Sequence, residues 1–132
     1  MSAETNQMIG GVDFVAVSSR DLEAASEFYA GVLGLRRSVY IPDRGYSEFE
    51  TGNLTLSVVN GELMQIGHHV NRNAIALHVE DVAAARTELE GKGVEFRADT
   101  LDTGVCHMAF FEDPDGNALM LHHRYAPRAT EG

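Results

Sequence analysis

The residues of this chain most able to do acid–base or metal chemistry are Glu48, Glu50, His78 and His122. Strand alternation turns all four toward one kind of face. A histidine near neutral pKa beside a carboxylate can shuttle a proton, and three such donors converging can hold a divalent ion. The competing reading is that the histidines end their strands in solvent and the glutamates line a polar rim. Cys106 precedes His107, but neighbours on a strand point to opposite faces, so the two do not make a nucleophile–base pair. Cys106 reads instead as a small buried hydrophobe. His68-His69 lies in a linker and reads as surface. His122-His123 cannot place both rings on one ion in regular strand geometry. Asp113 and Asp115 resemble a calcium loop only in part, because the ligand ladder that should follow is missing and Pro114 with Gly116-Asn117 makes a turn. Phe14, Tyr46, Met108, Phe110 and Met120 complete the pattern. They suit a flat apolar or aromatic ligand and suit core filling equally.

The elements that must position these residues occur twice. A shift of sixty residues lays Val15-Ala16-Val17 on Ile75-Ala76-Leu77, Asp21-Leu22 on Asp81-Val82, and Gly31 on Gly91. Such a duplication predicts a two-fold architecture with a cleft between the copies. In the first copy, Val12 to Ser18 reads as a strand and Asp21 caps a helix running to Val32. Leu35 to Ile41, Tyr46 to Thr51 and Leu54 to Val59 read as three more strands, the last two joined at Gly52-Asn53. In the second copy, Asn73 to Val79 is a strand, Asp81 caps a helix to about Glu90, and Val94 to Ala98 is a short strand. Val105 to Phe111 and Ala118 to His123 form a hairpin. Repeat 1 covers about 9–60, the linker 61–72, repeat 2 about 73–124 and a loose polar tail 125–132, all within one domain, 1–132. The parity of β-alternation turns Phe14, Ala16 and Ser18 to the cleft, with Ala74, Ala76 and His78 as their repeats. Tyr46, Glu48 and Glu50 follow, paired by the same shift with Cys106, Met108 and Phe110. Ala118, Met120 and His122 close the set.

Composition removes several classes of function. A net charge of −10 over 132 residues argues against a nucleic-acid partner, which calls for a basic face. It suits a neutral or cationic small ligand, although acidity also serves solubility. No apolar run approaches the roughly 18 residues of a membrane span. Met1 to Met8 is polar and does not read as a signal peptide. One cysteine permits no intrachain disulfide, which fits a cytoplasmic location.

Phe14-Val-Ala-Val-Ser-Ser-Arg-Asp-Leu-Glu, Phe28-Tyr29 with Leu33-Gly34-Leu35, and Asp113-Pro-Asp-Gly-Asn117 resemble the vicinal oxygen chelate superfamily. That group includes glyoxalase I, fosfomycin-resistance enzymes, extradiol dioxygenases and bleomycin-resistance proteins. The resemblance covers nearly the whole chain and is poor at choosing a member. It implies an α+β fold, with two tandem βαβββ modules forming cupped mixed sheets and helices on the outer face. Metal-dependent members chelate their substrate on a divalent ion held by His and Glu. By resemblance those ligand positions fall on Phe14, on Thr55 or Leu56, on Ala74 and on Met120. None is a usual donor, so the resemblance implies that the family's metal site is absent and no cofactor is needed.

The expected function is therefore a metal-free small-molecule binding protein of the bleomycin-resistance type, working as a homodimer. Its ligand would be an apolar or aromatic, optionally cationic, metabolite or antibiotic. Phe14, Tyr46, Glu48, Glu50, His78, Met108, Phe110, Met120 and His122 would line the site. The alternative is a lyase, isomerase or dioxygenase, with His78, His122 and Glu48 as catalytic candidates around a displaced metal or in metal-free acid–base chemistry. A third reading is an interaction module whose cleft is packed shut.

Overall fold

The computed structural model describes residues 7–128. The first module runs β1 (Phe14–Ser18), α1 (Leu22–Ser26), a π-helical turn (Glu27–Val32), β2 (Arg36–Ile41), a 3-10 turn (Pro42–Arg44), β3 (Tyr46–Glu50) and β4 (Thr55–Val59). The second runs β5 (Ile75–His78), α2 (Val82–Gly91), β6 (Leu101–Asp102), β7 (Cys106–Glu112) and β8 (Ala118–Arg124). Each module makes one four-stranded mixed sheet, ordered β1-β4-β3-β2 and β5-β8-β7-β6. The first strand of each pairs in parallel with the last, and the other pairings are antiparallel. The fold is α+β with two tandem modules, as the sequence implies.

Both helices start where the cap residues stand. The Asp21 carboxylate accepts from the Ala24 N–H at 3.0 Å, and Asp81 accepts from Ala84 at the same distance. Each satisfies one of the backbone donors left free at a helix start. The first helix differs from expectation in its second half. It widens into π geometry, and the Leu33 N–H donates to the Phe28 carbonyl at 2.9 Å. The wider turn lets the adjacent Phe28 and Tyr29 reach different sheets. The Tyr29 ring lies 5.5 Å from Phe49, and the Phe28 ring 6.3 Å from Phe111. Val94 to Ala98 is not a strand. It makes one backbone bond to β7, from Arg97 N–H to the Phe110 carbonyl at 2.9 Å, and the edge strand forms three residues later at Leu101–Asp102. The start of the tail is tied down, since Tyr125 donates its N–H to Val105 and its hydroxyl to Asp102. Residues 1–6 and 129–132 lie outside the described residues, as does most of the leader and the end of the tail read above.

Alternation sorts each sheet into a helix-bearing face and an open face. Val17, Phe49, Leu56 and Val58 of the first module join Ala109, Phe111, Leu119 and Leu121 of the second in one buried cluster with Tyr29, Val82 and Leu89. Each such large side chain contributes about 1.5–3 kcal/mol on burial. The helix-bearing faces of the two modules therefore meet within the chain. A polar lock fixes their relation. Tyr29 donates its hydroxyl to buried Asp113 at 2.6 Å, and the Asn117 amide donates to the Ser18 carbonyl and to Asp113, both at 2.8 Å. The other Asp113 oxygen accepts from the N–H groups of Asp115 and Asn117, both at 2.9 Å. Four donors thus serve this carboxylate, which makes no ion pair among the described residues, as its burial demands. The -Asp-Pro-Asp-Gly-Asn- segment is a turn that locks the modules together.

Candidate open-face binding site

Register places the open-face residues on two grids. In the first module Ala16 and Glu48 flank Ser57 in the middle row. Phe14, Thr55 and Glu50 form the row at one end, and Ser18, Val59 and Tyr46 the row at the other. Small side chains occupy the middle of β1 and β4, with Phe14 standing 58% exposed at one margin. In the second module Ala76, Met120 and Phe110 form the middle row, and His78, His122 and Met108 the next. Ala118 and Glu112 begin the sheet at the other end.

The equivalence between modules differs from a plain shift of sixty. Glu50 starts against Thr55, and Glu112 against Ala118, so Tyr46, Glu48 and Glu50 correspond to Met108, Phe110 and Glu112. The longer passage between α2 and β7 moves β7 by two residues, and a turn one residue longer moves β8 by three, so the face of each β8 residue is set by its register partner and not by the shift: Ala118, Met120 and His122 stand beside Glu112, Phe110 and Met108.

The sequence-named residues fall into two groups. Phe14, Tyr46, Glu48 and Glu50 share the open face of the first module. His78, Met108, Phe110, Met120 and His122 share that of the second. His78 and His122 are register neighbours on adjacent strands. The His78 Nε2–H donates to the Glu80 carboxylate at 2.6 Å, a partner at its own strand end and not Glu48. Among the described residues no hydrogen bond, ion pair or ring contact joins the two open faces. The expected cleft of Phe14, Glu48, Phe110 and Met120 is accordingly not assembled within one chain, because the modules meet through their helix-bearing faces.

Glu50 is held in place on the surface. Its two oxygens accept from Ser38 at 2.5 Å and from Thr55 at 2.8 Å. These hydroxyl donors, Ser38 first, hold its carboxyl below the ordinary carboxylate value. They favour the charged form, so Glu50 is a fixed anion. Cys106 lies on the open side opposite Arg124, whose guanidinium stands 3.9 Å from the sulfur. His107 points the other way, with its ring 4.8 Å from that of Tyr125.

The family's metal positions can now be tested against geometry. Phe14 and Thr55 are register partners, and Met120 neighbours Ala76 two residues beyond Ala74. Leu56 is removed from the set, since it lies 1% exposed on the helix-bearing face. The open-face position beside Ala16 is Ser57, which the sequence reading missed; the Leu56–Val58 alternation could have supplied it. Phenyl, methyl, hydroxyl and thioether groups do not fit a hard divalent ion. Among the described residues no group of three His, Cys, Asp or Glu side chains is placed to hold one.

A separate cavity of about 730 Å³ opens between the helix-bearing faces. Val15, Leu35, Leu56, Ile75, Leu77 and Leu121 line it, and Glu88 stands among them. It accounts for the partial exposure of Val15, Ile75 and Leu77 on faces otherwise buried.

Among the described residues no helix is long and apolar enough to cross a membrane. Lactoylglutathione lyase from Agrobacterium tumefaciens has a similar structure, at a TM-score of 0.75 and 18% identity over 86% of this chain and 93% of that one. TnmS3, an antibiotic binding protein from Streptomyces sp. CB03234, is similar at a TM-score of 0.75 and 23% identity over 90% of this chain and 99% of that one. A superfamily member from Sphaerobacter thermophilus is similar at 0.75 and 22%, over 88% and 98%. At these identities the likeness is one of fold. No curated protein is significantly similar to the chain. The family model described as Glyoxalase/Bleomycin resistance protein/Dioxygenase superfamily matches residues 11–121, and by that match across both modules the chain belongs to this superfamily.

Proposed function

We propose that this protein is a metal-free small-molecule binding protein whose ligand is an aromatic or apolar compound carrying positive charge. The observation that carries the reading is the make-up of its two open faces. One presents Met108, Phe110 and Met120, soft side chains suited to a flat apolar surface. The other presents Glu48 and the fixed anion Glu50 beside Phe14 and Tyr46, suited to the charged part. The positions that hold metal in relatives offer no donor. The antibiotic-binding structural neighbour fits this reading, and the lyase neighbour belongs to the alternative.

Because the two faces turn away from each other in one chain, the full site takes its second face from another copy. A homodimer supplies it: the first module of one protomer lies opposite the second module of its partner. The edge strands, β1 and β2 in one sheet and β5 and β6 in the other, offer unpaired backbone for that approach. An enzymatic reading would place Glu48 of one protomer against His78 and His122 of its partner, where acid–base chemistry could operate.

Binding of thioflavin T, a planar aromatic cation, tests the proposal by fluorescence. The expected result is saturable binding that Phe110→Ala weakens by about tenfold or more. Zinc, nickel, manganese or iron(II) should leave that binding unchanged. Saturable binding insensitive to Phe110→Ala but lost in Leu77→Trp would move the ligand to the 730 Å³ cavity. Stoichiometric metal lost on His78→Ala or His122→Ala would replace the proposal with the enzymatic reading.

A further inference from the structure

The segment between the modules does more than connect them. Asn60 donates its N–H to the Gly45 carbonyl at 2.7 Å, which starts the linker at the β3 end of the sheet. The His69 N–H donates to the Ser18 hydroxyl at 3.3 Å, which finishes it on the open face of β1. Both anchors lie at the end of the sheet where Ser18, Val59 and Tyr46 form the last row.

The loop is closed on itself. Ile66 and Gly67 both donate to the Gly61 carbonyl, at 2.8 and 2.9 Å. A Cβ on Gly61 would fall 1.8 Å from the Gly67 carbonyl oxygen, so only glycine allows this closure. Gln65 takes a positive φ of 63°, a conformation rarely adopted by residues with side chains. Arg20 ties the loop down through Glu62 at 3.2 Å.

This ordered loop nevertheless presents Leu63, Met64 and Ile66 at 52%, 43% and 62% exposure. Leu63 and Met64 stand over Gly45, the residue before Tyr46, and Ile41, the register partner of Tyr46, is also exposed. Three large apolar side chains thus stand exposed on a hydrogen-bonded seven-residue loop beside the strand that carries Tyr46 and Glu48.

We infer that the Gly61–Gly67 loop is the end wall of the ligand site and sets its specificity, with Leu63, Met64 and Ile66 covering the apolar part of the ligand beyond Tyr46. This rests on the binding reading above and adds to it a third element, supplied by the linker. The hydrogen bonds that close the loop would preorganise this wall for the ligand.

The test is thioflavin T affinity of the triple variant Leu63→Ser, Met64→Ser, Ile66→Ser, which keeps Gly61, Gln65 and Gly67. The expected result is affinity weakened by about tenfold, with the melting temperature and sedimentation of the wild type. Met64→Leu alone, which keeps the apolar surface, should restore nearly full affinity relative to Met64→Ser. Unchanged affinity in the triple variant, while Phe110→Ala still weakens binding, overturns the inference and leaves the binding reading standing. A shift of the triple variant from dimer to monomer also overturns it, and assigns the patch to contact between copies. Absence of thioflavin T binding by the wild type overturns the binding reading itself, and this inference with it.

Discussion

The two modules agree on one face and disagree on the other. On the helix-bearing side, Val17 answers Leu77, Phe49 answers Phe111, Leu56 answers Leu119 and Val58 answers Leu121. Every pair is apolar and of comparable size. On the open side, Glu48 answers Phe110, Ser57 answers Met120, Tyr46 answers Met108 and Ser18 answers His78. Ser47, fully buried opposite Val58 and answered by Ala109, is the polar exception on this face; otherwise the core selects apolar side chains that fill its volume. The open faces have no such obligation, and there the copies differ in both charge and bulk. Placed opposite each other, they would form an acidic wall and an apolar wall. Two identical copies of either face would recognise only one half of an aromatic cation.

The adjacent residues Phe110 and Phe111 offer the sharpest way to break this comparison. Phe111 is 1% exposed between Phe28 and Phe96, so Phe111→Ala should cost about 3–5 kcal/mol in chemical denaturation. Phe110→Ala, one residue away on the other face, should cost less than about 1.5 kcal/mol while weakening the probe. Equal costs would remove the distinction between the faces.

The lock between the modules comes next in size. Tyr29→Phe removes a hydroxyl donor to a buried carboxylate and should cost about 1.5–3 kcal/mol. Burial, reinforced by Asp113, raises the Tyr29 pKa above its ordinary value of 10.0. The unfolded chain therefore loses a proton above pH 10.0 that the folded chain keeps. This contribution is full below that pH and is lost progressively as pH rises from it toward the higher folded value. Stability measured from pH 8 to 11 should fall less steeply in Tyr29→Phe than in the wild type; parallel curves would contradict the assignment.

Smaller effects belong to the acidic wall. Glu48→Gln with Glu50→Gln should leave the melting temperature near that of the wild type while weakening thioflavin T severalfold. A neutral aromatic probe should bind the variant undiminished; equal losses for both probes would deny the wall its electrostatic role. The smallest effect is the titration of Glu50, whose carboxyl sits below its ordinary 4.5 because Ser38 and Thr55 donate to it. Its depressed pKa gives a stabilisation present above 4.5 and lost as pH falls through the lower folded value. In Ser38→Ala the apparent pKa of Glu50, read by carboxyl NMR shifts, should rise toward 4.5. No rise would remove the hydroxyl as the cause.

The strands at β1, β3, β4 and the β7–β8 hairpin were legible because period-two alternation was strong and Gly52-Asn53 and Gly116-Asn117 marked the turns. Asp21 and Asp81 gave the helix starts for the same local reason. Val94 to Ala98 misled because its composition is strand-like, while strand formation depends on a ladder that only a partner can supply. Ser57 escaped because the ligand position was sought by offset from Gly52-Asn53, when parity with Leu56 and Val58 would have found it. The joint exposure of Leu63, Met64 and Ile66 was also not legible, since a stretch without a period says nothing about where its side chains stand.

Local signals thus settled much from the chain alone: the duplication and the faces of its strands. These depend on spacing and on side-chain chemistry, which a sequence states directly. Which faces meet was decided only in three dimensions. The buried bonds from Tyr29 to Asp113 and from Asn117 to Ser18 join residues far apart in the chain. With the helix-bearing faces so joined, the open faces are turned apart, because each sheet has only two sides and one is already spent on the core.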